Sequence, residues 1–294
     1  GITINDKIDA DNAGSNDRTL TLTSGTGATM TFGDAIGSAQ PLAGLTITQS
    51  NGVTFASTLD ITDGSAGTLT VTDTQDGSDI VFNGAVTLET VSFAAAGYDL
   101  VFNGSGNTFA NAATFQNTGT LDLGNASGDT FVFDAGLTEN TTGTVTLAGS
   151  IDSTNDDITF GAITLAAATT IDTNASDTTG DIIIGAVTGA NNSLTLDTTT
   201  STGSADITFN SDINLGTGAL TVTGDVVLGA NVSVTATPSS GIGIRFNDAI
   251  NADNASSNDR TLTLNAGTAA TIFALGSNVG ASQALAGLTI TQSN

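Results

Sequence analysis

The sequence predicts an all-β fold, a right-handed parallel β-helix (β-solenoid) with coils of about 24 residues. Three observations predict it. The chain states one stretch twice: Gly1–Phe32, containing NDRTLTLTSGTGATMTF, returns from Gly243, and QPLAGLTITQSN ending at Asn51 returns as QALAGLTITQSN ending at Asn294. Inside that long repeat, short apolar-Thr runs recur, most neighbours about 24 residues apart. Finally, Thr, Gly, Asp, Asn, Ala and Ser fill most of the chain around its apolar residues. Such small side chains suit a narrow core repeated along an axis rather than one wide core.

Taken in order, the runs are LTLT at Leu20, LTIT at Leu45, LTVT at Leu69, VSFA at Val91, LDLG at Leu121, VTLA at Val145, LTLD at Leu194, LTVT at Leu220, LTLN at Leu262 and LTIT at Leu288. Alternation places Leu, Val, Ile and Phe on one face and Thr, Ser or Asp on the other. A second motif, a strand ending in Phe or Ile before a small turn, keeps the same rhythm: DIVFNGA from Asp79, DLVFNGS from Asp99, DITFGAI from Asp157, DIIIGAV from Asp181 and DITFNSD from Asp206. A third short strand often follows, as in AVTL from Ala85, AITL from Ala162 or INL from Ile213. Turn residues such as SGTG, DGSAG and NGSGN separate them. Tandem β-sandwich domains are the alternative, but a sandwich repeats at about 90–100 residues and shows no shorter rhythm. Coils stacked at about 4.8 Å would make a rod of roughly 50 Å per long repeat, with about twelve coils in this chain. Residues 1–242 then form one complete long repeat. Residues 243–294 open the next, continuous with the same solenoid, so the chain reads as a piece of a longer tandem array.

Charge narrows the function classes. Four basic residues against 29 acidic ones give a formal −25, so there is no basic face to displace counterions from a nucleic acid or to meet an anionic membrane surface. Such acidity fits an extracellular protein bathed in divalent cations, and equally a plain solvated surface. With no cysteine, no disulfide framework forms. No stretch reaches the roughly 18 apolar residues of a membrane span, so no membrane insertion is expected in this segment.

The segments NDRTLTLTSGTGATMTF…LAGLTIT and DITFNSDINLGTGALTVTGDVVLGANVSVTAT from Asp206 resemble large bacterial surface exoproteins of the filamentous-haemagglutinin type, often described as β-strand-repeat or autotransporter-associated repeat proteins. The resemblance covers essentially the whole chain and is specific to an architecture, not to a ligand. It implies secretion, a long β-helical stalk and a role in adhesion or surface structure. It transfers no functional residues, because stalk repeats of this kind supply none.

Candidate chemistry is sparse. Some right-handed β-helices cleave acidic polysaccharides with a basic residue and calcium or paired carboxylates in a groove. Here there is no His, and the one lysine, Lys7, becomes Ala249 in the second copy; Arg18 and Arg260 match, which suits a repeated structural role. No enzyme is expected and no cofactor is required. Calcium is the sharper candidate. Asp9, Asp11, Asn12, Asn16 and Asp17 bring oxygen ligands together, as do Asp253, Asn254, Asn258 and Asp259 in the second copy. The segment departs from an EF-hand loop, with Ala13 at a ligand position and no closing Glu. Asp152–Asp157 and Asp172–Asp181 are weaker candidates. Asn and Asp also cap turns without any metal. Thr-x-Thr runs at Thr19, Thr46, Thr68, Thr221, Thr261 and Thr289 resemble ice-binding ranks, but unequal coils are expected to break the rank. Tyr98, the one tyrosine, is expected to pack at a turn.

The expected function is therefore that of a stalk or fibre segment in a large secreted bacterial cell-surface adhesin. Its partners would be further copies of the same repeat, in tandem or end to end, and a host or neighbouring cell. The alternative is a self-assembling extracellular filament, sheath or surface layer joined through strand edges.

Overall fold

The computed structural model describes residues 1–11, 18–62, 64, 67–173, 179–198, 205–253, 259–274 and 278–292. The described residues form strands and no helix. They wind as a parallel β-solenoid of about 11 turns of roughly 24 residues. That is slightly fewer than sequence length suggests, because some coils spend extra residues in their turns: the step is 28 residues from Ile2 to Met30 and 20 from Ile80 to Leu100. The pairings leave no room for the sandwich alternative, whose strands would run antiparallel. The chain divides into two compact units, Gly1–Thr146 and Leu147–Asn294.

In the first unit, one ladder runs through Ile2–Ile4, Met30–Phe32, Val53–Phe55, Asp79–Phe82, Asp99–Phe102 and Leu121–Leu123. A second joins Thr19–Thr23, Gly44–Gln49, Thr68–Val71 and Thr90–Phe93. A third joins Leu59–Ile61, Val86–Leu88, Asn107–Phe109 and Thr130–Phe133. Each strand thus pairs with its counterpart one coil later, so like residues stack on like. Phe32, Phe55, Phe82 and Phe102 lie directly over one another. Their ring centroids are 4.9, 4.9 and 4.6 Å apart, with interplanar angles of 8°, 1° and 12°. Each such pair contributes about 0.5–1.5 kcal/mol beyond the area it buries. Phe109 stacks on Phe133 at 4.6 Å and meets Phe102 edge-on at 6.0 Å, closing the core from the adjacent face.

In the second unit, aliphatic ladders replace the aromatic stack. Ile158–Phe160, Ile182–Ile184, Asp206–Phe209, Asp225–Leu228 and Ile250–Ala252 succeed one another, burying Ile158, Ile182, Ile207, Val226 and Ile250 in one column. A second ladder carries Leu194, Leu220 and Ile244 through Leu194–Asp197, Leu220–Thr223 and Ile242–Phe246. A third takes Val187–Thr188, Ile213–Gly216, Val232–Ala236, Thr261–Asn265 and Gly287–Gln292.

Coil length varies while register is kept, because the turns absorb the difference. Gly37 shows how tight those turns are. Its φ is +78°, and a Cβ there would run into the carbonyl oxygen of Asp60 in the next coil, so only glycine fits.

Candidate functional site

The acidic segment that closes the first coil is the strongest candidate from sequence, and its second copy allows a direct comparison. Asp9 Oδ1 accepts hydrogen bonds from the backbone N–H groups of Ala39 (2.8 Å) and Gln40 (3.3 Å). In the second copy Asn251 stands in place of Asp9, and its Oδ1 accepts from Ser282 (3.0 Å) and Gln283 (3.2 Å), the residues equivalent to Ala39 and Gln40. A neutral amide makes the bonds that a carboxylate makes. The position therefore selects for an acceptor that caps a turn, not for a negative charge.

Asp11 is forked by Arg18, with Nε–Oδ1 at 2.8 Å and Nη2–Oδ2 at 3.2 Å. Asp253 and Arg260 repeat the fork at 3.0 and 2.9 Å, and Asp259 approaches Arg260 Nε at 3.8 Å. Hydrogen bonding to the guanidinium holds the carboxyls of Asp11 and Asp253 below the usual range, and the Asp253 bond raises Arg260 in turn. The first pair is exposed and the second partly so, and surface bridges of this kind add little stability. The matched arginines are thus brought together with the matched aspartates, as their repetition suggested. Asn12, Asn16, Asp17, Asn254 and Asn258 lie outside the described residues. Among the described residues, no group of three or more acidic side chains is gathered as a metal site.

Of the weaker acidic candidates, Asp157 and Asp181 belong to a ladder, and residues 174–178 lie outside the described residues. Asp157 Oδ1 accepts from the N–H of Asp181 (2.9 Å), Asp181 Oδ1 from that of Asp206 (2.8 Å), and Asp225 Oδ1 from that of Ala249 (3.0 Å). Asp157, Asp181 and Asp225 each sit at or just before the start of a strand and cap the coil that follows. Stacking carboxylates has an electrostatic consequence. Burial first, then the charges of Asp181 and Asp225, push Asp206 above the ordinary carboxylate range. Asp122 is raised by burial, with Asp99 and Asp79 adding to it and a hydrogen bond to Thr146 opposing it. Burial likewise raises Asp152, against a hydrogen bond from Ser150. An amide column runs parallel in the first unit: Asn103 Nδ2 donates to Asn83 (3.1 Å) and Asn125 Nδ2 to Asn103 (2.9 Å).

Several buried polar residues escaped the sequence reading. Glu89 accepts from Gly64 N–H (2.6 Å) with one oxygen and from Gly67 N–H (2.5 Å) with the other. Asn107 accepts from Val86 N–H (3.1 Å) and donates to Gly104 O (2.6 Å), while Asn117 donates to Tyr98 O and Thr120 O (3.1 and 2.8 Å). The rarity of glutamate, with only Glu89 and Glu139 in the chain, was the one available signal. Tyr98 is fully buried and donates to Ala94 O (2.9 Å), the packed turn residue expected; burial pushes its phenol up.

The threonine rank differs from expectation. Thr21, Thr46, Thr70 and Ser92 align in one unbroken column despite unequal coils, because the turns take up the extra residues. The neighbouring column is interrupted by Gly44 between Thr19 and Thr68, and elsewhere Val81 follows Thr54 and Arg245 follows Thr221. A short hydroxyl column results, not an extended two-column lattice.

These side chains bond mainly to the backbone one coil away or to each other, which is what coil-to-coil fastening requires. The chain matches no protein-family model, no curated protein and no solved structure.

Proposed function

We propose that the chain is a structural segment of a large secreted bacterial surface protein, a stalk or fibre of the filamentous-haemagglutinin type, with a mechanical and adhesive role and no catalysis. The observation that carries this reading is the coil-to-coil fastening. In-register parallel ladders, columns of stacked apolar side chains and outer Asp and Asn columns all tie one coil to the next. Load along such a ladder is shared by many backbone hydrogen bonds at once. The acidic, hydroxyl-rich exterior supports an extracellular setting and no nucleic-acid partner. Tandem copies of the repeat and a host or neighbouring cell surface are its partners. This reading requires no cofactor, and calcium would serve rigidity and not chemistry.

The test is the denaturing mass of the native protein, with surface immunolabelling and electron microscopy of the same cells. A polypeptide far larger than 294 residues, labelled outside the cell as a thin projection, supports the stalk. An intracellular label refutes it.

A second reading is a self-assembling filament, sheath or surface layer joined through strand edges. A native polypeptide of about this length, seen in ordered filaments or sheets, would establish that reading instead.

A further inference from the structure

Ser50 and Thr74 are 0% and 1% exposed, and among the described residues neither hydroxyl has a hydrogen-bond partner. The two belong together. Ile47 pairs with Val71, and the same offset carries Ser50 onto Thr74. The ladder continues that far: Thr72 N–H donates to Ile47 O at 3.0 Å, and Gln75 N–H donates to Ser50 O at 2.8 Å. Thr74 therefore lies one coil beyond Ser50 at the same inner corner, about 4.8 Å along the axis. Buried hydroxyls in folded proteins are almost always paired, so two stacked ones without a partner call for a physical cause.

Elsewhere a hydroxyl in this kind of turn finds a carbonyl. Ser24 follows the strand Thr19–Thr23 and donates to Ala28 O (2.6 Å), two residues before Met30 opens the next strand. Ser153 donates to Asp156 O (2.5 Å), Thr173 to Gly180 O (2.6 Å) and Thr198 to Ala205 O (3.4 Å). These acceptors stand two residues before Ile158, Ile182 and Ile207, which are in register with one another. A hydroxyl at the end of one strand thus fastens the backbone just ahead of the next. Ser50 and Thr74 sit at strand ends of the same kind and lack that bond. Val53 is in register with Met30, so the carbonyl matching Ala28 O belongs to Asn51, the immediate chain neighbour of Ser50. Ile80 is in register with Val53, so the match for Thr74 is Ser78 O, which accepts from Asp99 N–H at 3.1 Å and is not reached by the Thr74 hydroxyl.

We propose that Ser50 and Thr74 form a binding site for one buried water molecule, which bridges the two hydroxyls and joins neighbouring coils where the hydroxyl-to-carbonyl bond is missing. Two groups stacked about 4.8 Å apart suit one bridging atom about 2.8 Å from each. The occupant must be able both to donate and to accept, because each hydroxyl can do either. Water does both and needs only two to four polar partners. A calcium ion would call for six to eight oxygens, carboxylates among them, and suits two neutral hydroxyls poorly. The site fastens the coil of Gly44–Gln49 to that of Thr68–Val71, and it holds whichever surface role the chain has.

The test is a crystal structure of the purified chain at a resolution that shows ordered water, together with melting curves of three variants. The expected result is a water within hydrogen-bonding distance of both Ser50 Oγ and Thr74 Oγ1. A corner without that water, or hydroxyls turned to carbonyls of their own turns as in Ser24, overturns the proposal. The variants give an independent readout. Ser50→Ala and Thr74→Val each strip the water of one partner and leave the other hydroxyl alone, so each is expected to melt about 2 °C below wild type. Combining the two substitutions removes both hydroxyls and is expected to melt no lower than either single variant. Hydroxyls with no water give the opposite sign, because an apolar replacement then relieves a buried unpaired group. A single variant that melts at or above wild type overturns the proposal, and so does a double variant that sums the two losses. Tyr98, the one tyrosine, lies in the same compact unit and reports these transitions by its fluorescence. The wild-type crystal structure decides the matter if a variant fails to fold.

Discussion

Asp9 and Asn251 occupy the same place in the two copies of the long repeat, and each caps two successive backbone N–H groups of the next coil with one side-chain oxygen. Since nature has already made the exchange in the second copy, Asp9→Asn leaves the melting temperature unchanged. Asp9→Ala removes the acceptor and costs about 1 kcal/mol. Urea unfolding of the three proteins checks the order.

Metal removal follows from the same geometry. Asp9 has backbone donors, and Asp11 and Asp253 are held by Arg18 and Arg260. A chelator is expected to leave the melting temperature of the chain unchanged. A fall on chelation, reversed by calcium, would assign these loops a rigidifying ion.

Phe82 sits in the middle of the aromatic column, 4.9 Å from Phe55 and 4.6 Å from Phe102. Phe82→Ala leaves a cavity and strips both stacking partners, costing about 3–5 kcal/mol. Tyr98 is the only tyrosine and there is no tryptophan, so tyrosine fluorescence reports unfolding of the first unit specifically. Phe82→Leu restores much of the volume and is expected to cost less than half as much.

Glu89 satisfies two backbone N–H groups at once, from Gly64 and Gly67. Glu89→Ala strands the buried Gly67 N–H, at about 1–3 kcal/mol, whereas the exposed Gly64 N–H turns to water. Glu89→Gln keeps one acceptor oxygen and falls between. Hydrogen exchange at Gly67 N–H, faster in Glu89→Ala than in the wild type, locates the loss.

Acid should strengthen this protein before it weakens it. Asp60, Asp122, Asp152 and Asp206 are all raised above the ordinary value of 3.8, with burial the first cause in each. The native state therefore holds protons more tightly than the unfolded chain, and stability rises as pH falls through the raised values toward 3.8. Above the raised values the penalty is fully present. Relief of repulsion from the −25 net charge acts in the same direction. Thermal melts are expected to shift upward by a few degrees between neutral and mildly acidic pH. Asp206→Asn is expected to flatten that slope, by removing a charge flanked by Asp181 and Asp225.

The sequence alone determined the fold class, the coil rhythm and the pairing of like with like. In a parallel solenoid a strand's partner is its own counterpart one coil later, so a periodic sequence is also a contact map: Phe55 follows Phe32, and Thr46 follows Thr21. The Arg18–Asp11 fork was half legible, because Arg260 repeated it, although its partner was not. Only the tertiary structure decided which carboxylates cap turns, that Glu89, Asn107 and Asn117 point inward, and that the Thr21–Thr46–Thr70–Ser92 column survives unequal coils. Those outcomes depend on where the turns place backbone N–H and C=O groups, and a turn's path depends on the coil beneath it. Position 37 must be glycine because Asp60 O lies where a Cβ would be. Local pattern encodes what repeats, whereas neighbours in space decide what is satisfied and what is left exposed.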